Sequence, residues 1–168
     1  QDLFISNGIN KRPNDLDFKK YVSSTFKQKN QKESLEWLYK SLGEMPSGKT
    51  PNMIYEGNSK KFKNRNGKWI DENPTLSNGA IYADLDLDGD LDIIVNNFND
   101  YAGLYKNQTD TLNNYLSVKA KYQKGNSNGI GTKAILYSNG KSQLKQVFHS
   151  RGFLSSTNAK LHFGLGQN

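Results

Sequence analysis

The stretch that most restricts the fold is Ala83-Asp84-Leu85-Asp86-Leu87-Asp88-Gly89-Asp90-Leu91-Asp92. Five aspartates recur at strict two-residue spacing, and so many carboxylates on one short segment repel one another unless a cation or broad solvation relieves them. The segment predicts a curled loop in which Asp84, Asp86 and Asp88 reach a common point, with Gly89 supplying the permissive backbone for the curl. Its flanks, Gly79-Ala80-Ile81-Tyr82-Ala83 and Ile93-Ile94-Val95, read as strands. Oxygen ligands at positions 1, 3 and 5 with Gly at position 6 begin like an EF-hand loop. Position 12, however, is Val95 where an EF-hand places a bidentate Glu, so the pattern is a DxDxDGxxD loop between two strands. All-oxygen, carboxylate-rich, flexible loops suit Ca²⁺ better than Mg²⁺ or Zn²⁺, and the expected cofactor is Ca²⁺.

The loop lies in a chain of 168 residues whose formal net charge is +7, and the charge is segregated. Residues 71–110 carry a net −8, whereas residues 11–70 and 111–168 each carry +8. The lysines form no clustered stripe with interleaved aromatics, so a solvated surface is the plain reading and nucleic acid is not an expected partner; a weaker reading is polyanion binding through the basic segments. There are no cysteines, which excludes disulfides and thiolate metal sites. No apolar run is long enough to span a membrane, and no signal peptide opens the sequence.

The rest of the chain reads as mainly β with a short helical insertion. Residues 2–6 predict a strand, and residues 14–26 and 31–45 predict two helices. Leu16, Phe18, Tyr21, Val22 and Phe26 form one apolar stripe, and Leu35, Leu38, Leu42 and Met45 form another. Asn14 or Asp15 can cap the first helix, and Gly43 with Pro46 is expected to end the second. Met53–Tyr55, Lys61–Lys63 and Lys68–Ile70 predict short β segments. Residues 115–122 alternate with Leu116, Val118, Ala120 and Tyr122 on one face. Asn139-Gly140, between strand-like runs over 134–147, predicts a hairpin with a type I′ turn, and 161–166 predict a last strand. An internal echo sets Asp2-Leu-Phe-Ile-Ser-Asn-Gly against Asp92-Ile-Ile-Val-Asn-Asn-Phe, and Asn52–Asn58 against Tyr101–Asn107. Repeats of this kind point to propeller or solenoid architecture.

With its flanks, Asn78–Asn97 resembles the FG-GAP/VCBS repeat of integrin-type β-propellers, and Leu104-Tyr105-Lys106-Asn107 resembles the LYxN segment of such repeats. The resemblance implies a Ca²⁺ loop joining two strands of a blade, with Asp84, Asp86, Asp88 and Asp92 as side-chain ligands and Asp90 through its carbonyl. Residues 113–166 resemble a second family, ASPIC/UnbV, through Asn128-Gly-Ile-Gly-Thr-Lys-Ala134, Arg151-Gly-Phe-Leu-Ser-Ser156 and Leu161-His-Phe-Gly-Leu-Gly166. The combination is similar to secreted proteins related to cartilage acidic protein, common in Bacteroidetes.

These resemblances imply partial β-propeller blades plus a small β-sheet or sandwich-like domain. The expected division is a blade remnant at 1–13, a helical insertion at 14–46, a VCBS/FG-GAP repeat at 47–112 and an ASPIC/UnbV-like domain at 113–168, truncated at its C-terminal end. The chain is thus expected to be a piece of a larger extracytoplasmic protein, secreted, at the cell surface or associated with the outer membrane. The expected role is non-catalytic binding of a glycan or a protein partner. The alternative is part of a secreted hydrolase or carbohydrate-active enzyme whose active site lies largely outside this chain. No catalytic residue is expected: the only histidines, His149 and His162, accompany no GxSxG elbow. Asn107-Gln108-Thr109 is a sequon by pattern, and Asp110-Thr111-Leu112 resembles a short O-glycosylation pattern of exported proteins.

Overall fold

The computed structural model describes residues 2–26, 31–58, 60–109, 113–123 and 125–167. Asp110-Thr111-Leu112 lies outside them. In chain order the elements are β1 (Leu3–Ile5), α1 (Leu16–Phe26), α2 (Gln31–Glu44), β2 (Met53–Gly57), β3 (Phe62–Asn64), β4 (Ser77–Ala83) and β5 (Asp92–Asn97). There follow β6 (Gly103–Tyr105), β7 (Asn114–Val118), β8 (Lys133–Ser138), β9 (Lys141–Gln146), β10 (Ser150–Gly152), β11 (Ser155–Ser156) and β12 (Leu161–Gly166). The fold is mainly β, in small sheets of two or three strands with no closed barrel among the described residues. No helix there is long and apolar enough to cross a membrane. The chain divides into two compact units, Gln1–Asn78 with Phe98–Asp100, and Gly79–Asn97 with Tyr101–Asn168.

In the first unit the sheet order is β1-β2-β3, antiparallel throughout. The two helices are inserted between β1 and β2, and a short neck closes the insertion. Arg12 N–H donates to Pro46 O and Gly48 N–H to Asn10 O, each at 2.9 Å, around a Lys11–Ser47 bridge. Asp15 is the N-cap of α1, its Oδ1 accepting from Phe18 N–H at 3.0 Å. α2 ends at Glu44, just ahead of Pro46 as expected, but Gly43 does not cap it. Gly43 stays within the helix, and Lys11 Nζ donates to the carbonyls of Gly43 (3.1 Å) and Met45 (2.9 Å). A cation from the neck thus satisfies the end of the helix where its carbonyls and negative pole lie.

The helical faces also need correction. Leu35 and Leu42 are 52% and 45% exposed, while Ser34 and Ser41 are buried. The helix turns its Ser34–Leu38–Ser41–Met45 side inward, because small hydroxyls allow close approach and can satisfy themselves locally; Ser41 Oγ donates to Leu38 O at 2.8 Å. On α1, Leu16 and Tyr21 are likewise exposed, with Tyr21 edge-on to Trp37 at 5.5 Å between centroids. Lys68–Ile70 is a turn, not a strand, since the N–H groups of Lys68 and Trp69 both donate to Arg65 O.

The second unit holds the β4-β5-β6 sheet, apart from the first two residues of β4, together with the pairs β7–β12, β8–β9 and β10–β11. The β8–β9 turn is as expected. Asn139 and Gly140 have φ of 50° and 70°, the two left-handed residues a type I′ turn requires, and Ser138 pairs with Lys141. Val147, Ala159, Leu161 and Phe163 form the core, covered by Val118, Ala120, Ala134 and Leu136. Of the alternating face expected over 115–122, Val118 and Ala120 reach this core, whereas Leu116 and Tyr122 are exposed and β7 ends at Val118. The carbonyls of β12 that face β9 are met by side chains: Gln143 Nε2 donates to Gly164 O at 2.8 Å and Lys145 Nζ to His162 O.

The contrast between the phenylalanine core and the exposed helical leucine is measurable. Phe163→Ala removes a ring that is 1% exposed and is expected to cost about 3–5 kcal/mol. Leu35→Ala is expected to change stability by less than about 0.5 kcal/mol. Denaturant titration of both variants checks this; a large loss for Leu35→Ala would restore the leucine stripe to a core.

Candidate metal-binding loop

The strand pair β5–β6 builds the site. β5 pairs with β6 through Ile93–Tyr105, Ile94–Leu104 and Val95–Gly103, and Val95 is fully buried. Asp92, the first residue of β5, is 2% exposed, and both of its carboxylate oxygens are used. Oδ2 accepts from Leu85 N–H at 3.1 Å and Oδ1 from Asn107 N–H at 2.8 Å. One carboxylate therefore ties the start of the acidic loop to the segment that follows β6. Charge-assisted bonds of this kind contribute about 1.5–3 kcal/mol each.

The same device occurs in the first unit. β1 pairs with β2 through Leu3–Tyr55, Phe4–Ile54 and Ile5–Met53, and Asp2 Oδ1 accepts from Gly57 N–H at 2.9 Å. In both pairs the aspartate stands at the start of the first strand, just before Leu3 and as the first residue of β5, the next residue faces a tyrosine, and the amide two residues beyond that tyrosine binds the aspartate. The echo read from the sequence is thus a repeated strand pair with one correction. Ladder register matches Gly57, not Asn58, to Asn107, because it is fixed by Tyr55 and Tyr105.

Between β4 and β5 the chain curls as expected and brings carboxylate oxygens of Asp84, Asp86 and Asp88 within 4.8 Å of one another. The curl needs two left-handed residues. Gly89 (φ 94°) was foreseeable, but Leu87 (φ 63°) was not. Asp88 Oδ1 accepts from Asp90 N–H at 3.0 Å, bracing the turn. Asp84 Oδ1 and Asp90 Oδ2 are buried and have no hydrogen-bond partner among the described residues. Asp90 thus presents a carboxylate at the loop, beyond the carbonyl assigned to it by resemblance. Asp92 belongs to the clamp described above.

Three contacts escaped the sequence reading. Lys106, the one cation among residues 71–110, lies 2.5 Å from Asp86 Oδ2. Its isolation in an acidic segment was the available signal. Tyr115 of β7 lies against Gly89 so closely that a Cβ there would sit 2.1 Å from its ring. His162 of β12 stacks on the same Tyr115 at 5.3 Å between centroids. The loop, the tyrosine and the imidazole form one layered contact that needs a glycine at its base.

The electrostatics follow from these neighbours. The hydrogen bond from Lys106 holds Asp86 below the usual carboxylate range. Burial, reinforced by Asp88, pushes Asp90 up. Burial and Lys145 push His162 down, against the opposing pull of Asp84 and Asp90. A donor set of carboxylates with buried, unpartnered oxygens fits a hard divalent cation.

Two outcomes test the loop. Gly89→Ala meets the Tyr115 ring and a left-handed backbone together, and is expected to cost about 2–4 kcal/mol in chemical unfolding; an unchanged midpoint would show that Tyr115 does not rest there. Asp90, with its raised folded pKa, favours the fold below its ordinary value of 3.8, and that contribution is lost as pH rises through the folded value. In chelator-treated protein, Asp90→Asn is therefore expected to raise Tm at pH 7, the advantage shrinking as pH falls through the raised pKa. A pH series of thermal melts reads the sign directly.

Neither a curated protein nor a solved structure matches the chain. No FG-GAP/VCBS repeat is detected in it. Residues 122–168, which carry β8 to β12 and most of the core of the second unit, match the family described as ASPIC and UnbV.

Proposed function

We propose that the chain is part of a calcium-stabilised, non-catalytic binding module that works outside the cytoplasm and engages a glycan or a protein partner at the cell surface, as a subunit of an outer-membrane or cell-surface assembly. The observation that carries the reading is the acidic loop. The carboxylates of Asp84, Asp86 and Asp88 converge within 4.8 Å, and Oδ1 of that same Asp84 and Oδ2 of Asp90 are buried without partners among the described residues. A bound Ca²⁺ supplies the positive charge that lets these groups share a turn. Asp84, Asp86, Asp88 and Asp90 would hold it, while Asp92 fixes the strand on which the loop closes.

The repeated strand pair supports placing the loop in an FG-GAP/VCBS-type blade. Asp2 and Asp92 occupy equivalent positions, each accepting from an amide two residues beyond a paired tyrosine. Under this reading β1 to β3 belong to one blade, which residues 14–46 interrupt between β1 and β2, β4 to β6 belong to the next, and residues 113–168 follow as the ASPIC/UnbV-like domain. The cation is structural: it removes repulsion between side chains that the fold holds together, and no group beside it is arranged as a nucleophile with its base.

Chelation is the test. At free Ca²⁺ about a hundredfold above Kd, binding contributes about 2.7 kcal/mol, or roughly 5–10 °C in Tm for a chain of this size. EDTA is expected to lower Tm by that order, and added Ca²⁺, but not equal Mg²⁺, to restore it. Asp84→Asn with Asp88→Asn is expected to abolish the response. A melting curve indifferent to EDTA overturns the reading.

A further inference from the structure

Residues 111–168 contain eight lysines and arginines and no acidic residue. Arg151, on β10, is exposed there, and its guanidinium lies 5.8 Å from the ring centroid of Tyr82 and 5.8 Å from that of Phe148. Both rings are themselves exposed. Among the described residues no ion pair involves Arg151.

The backbone holds this arrangement. Ser155 Oγ accepts from Ala80 N–H at 3.0 Å and donates to Phe153 O at 2.8 Å, which anchors the β10–β11 turn to β4. Ala80 and Tyr82 are two residues apart on β4 and share a face. A second cation of the segment, Lys145 on β9, is exposed, donates to His162 O and sits 5.5 Å from the Phe163 centroid. Burial and the charge of Arg151 both hold its pKa down. An exposed planar fork steadied by two rings, with no carboxylate partner among the described residues, makes a site ready for an oxyanion.

We propose that Arg151, held between Tyr82 and Phe148, receives the anionic group of an acidic polysaccharide, a uronate carboxylate or a sulfate ester. This rests on the glycan-binding reading above and gives it a chemical class. The guanidinium donates a bidentate pair to the oxyanion, and the exposed rings offer apolar surface to the C–H face of the sugar that bears it. Fixing the fork beforehand lowers the ordering cost of binding. A single steadied fork suits one charged group on a sugar. It does not suit a phosphate backbone, which needs a row of cations and stacking rings.

The test is calorimetric titration of the full chain, in calcium buffer at fixed ionic strength, with oligogalacturonate, a sulfated galactan oligosaccharide and a neutral galactan oligosaccharide. One or both acidic probes are expected to bind, the stronger one naming the carboxylate or sulfate source, and the neutral probe to bind at least tenfold more weakly. Arg151→Gln is expected to lose tenfold or more in affinity, and Arg151→Lys, which keeps the charge but not the fork, to lose most of that. Lys119→Gln, an equal change in net charge elsewhere, is expected to change affinity less than twofold. An equal loss in Lys119→Gln overturns the proposal, as does preference for anionic lipid vesicles or single-stranded DNA over every glycan. If the neutral probe binds as well as the acidic ones, or Arg151→Gln binds like wild type, this inference fails and the glycan reading stands. If no glycan binds while EDTA still lowers Tm, the inference fails together with the glycan half of that reading. The EDTA response of each variant checks that it is folded.

Discussion

The buried carboxylate of Asp92 is the contact on which the second unit's loop depends. It holds Leu85 N–H with one oxygen and Asn107 N–H with the other, so the beginning of the acidic loop, the start of β5 and the exit from β6 converge on one side chain. A carboxylate buried without such donors would be costly. Here the two amides make its burial tolerable, and the buried strand that begins with Asp92 positions everything else. Only with the loop so closed do Asp84, Asp86 and Asp88 face one another. Lys106 then lies between Asn107 and the tyrosine of the ladder, beside Asp86. Repetition of the clamp at Asp2 and Gly57 makes it a property of the strand pair itself, separable from the acidic loop.

The closed loop also shapes what rests on it. Gly89, left-handed and buried, leaves room for the ring of Tyr115, and Tyr115 in turn carries His162. Tyr115 lies on β7 and His162 on β12, the strand whose Leu161 and Phe163 fill the core. The acidic loop and that core are thus mechanically joined through one ring. A cation that stiffens the loop would steady β7 and β12 with it. Together with the Ala80–Ser155 hydrogen bond and the Arg151–Tyr82 contact, this connection ties the loop and its strands to the ASPIC/UnbV-matching segment within one compact unit.

Much of this was legible wherever a local rule decides conformation. Asn139-Gly140 specified its turn because only left-handed residues fit there, and the DxDxDG spacing specified the curl. Asp15 advertised a cap. The errors fall where packing overrides periodicity. Leu35 and Leu42 make a convincing stripe at helical spacing, yet α2 buries Ser34 and Ser41, and nothing in the local pattern reveals which face meets the rest of the unit. Gly43 read as a helix stop, but Lys11, distant in sequence, supplies the capping donors. Leu87 shows the same limit: a leucine with φ of 63° is held there by the loop's closure, against its own preference. Tyr115 on Gly89 is a contact between segments, and no spacing rule announces it.

Charge segregation has a structural meaning once these contacts are placed. The net −8 of residues 71–110 concentrates in a loop that can spend it on a cation, and the segment's one lysine is already engaged with Asp86. The net +8 of residues 111–168 has no such internal outlet, because the segment contains no acid at all. Two of its lysine and arginine side chains are fixed by the fold, Lys145 over Phe163 and Arg151 between two rings. Aromatic rings steady a cation without neutralising it. Arg151 therefore keeps its charge exposed to solvent, while the carboxylates of Asp84, Asp86 and Asp88 face one another. The cation proposed for the acidic loop and the oxyanion proposed for Arg151 would thus give the two halves of the unit ligands of opposite sign.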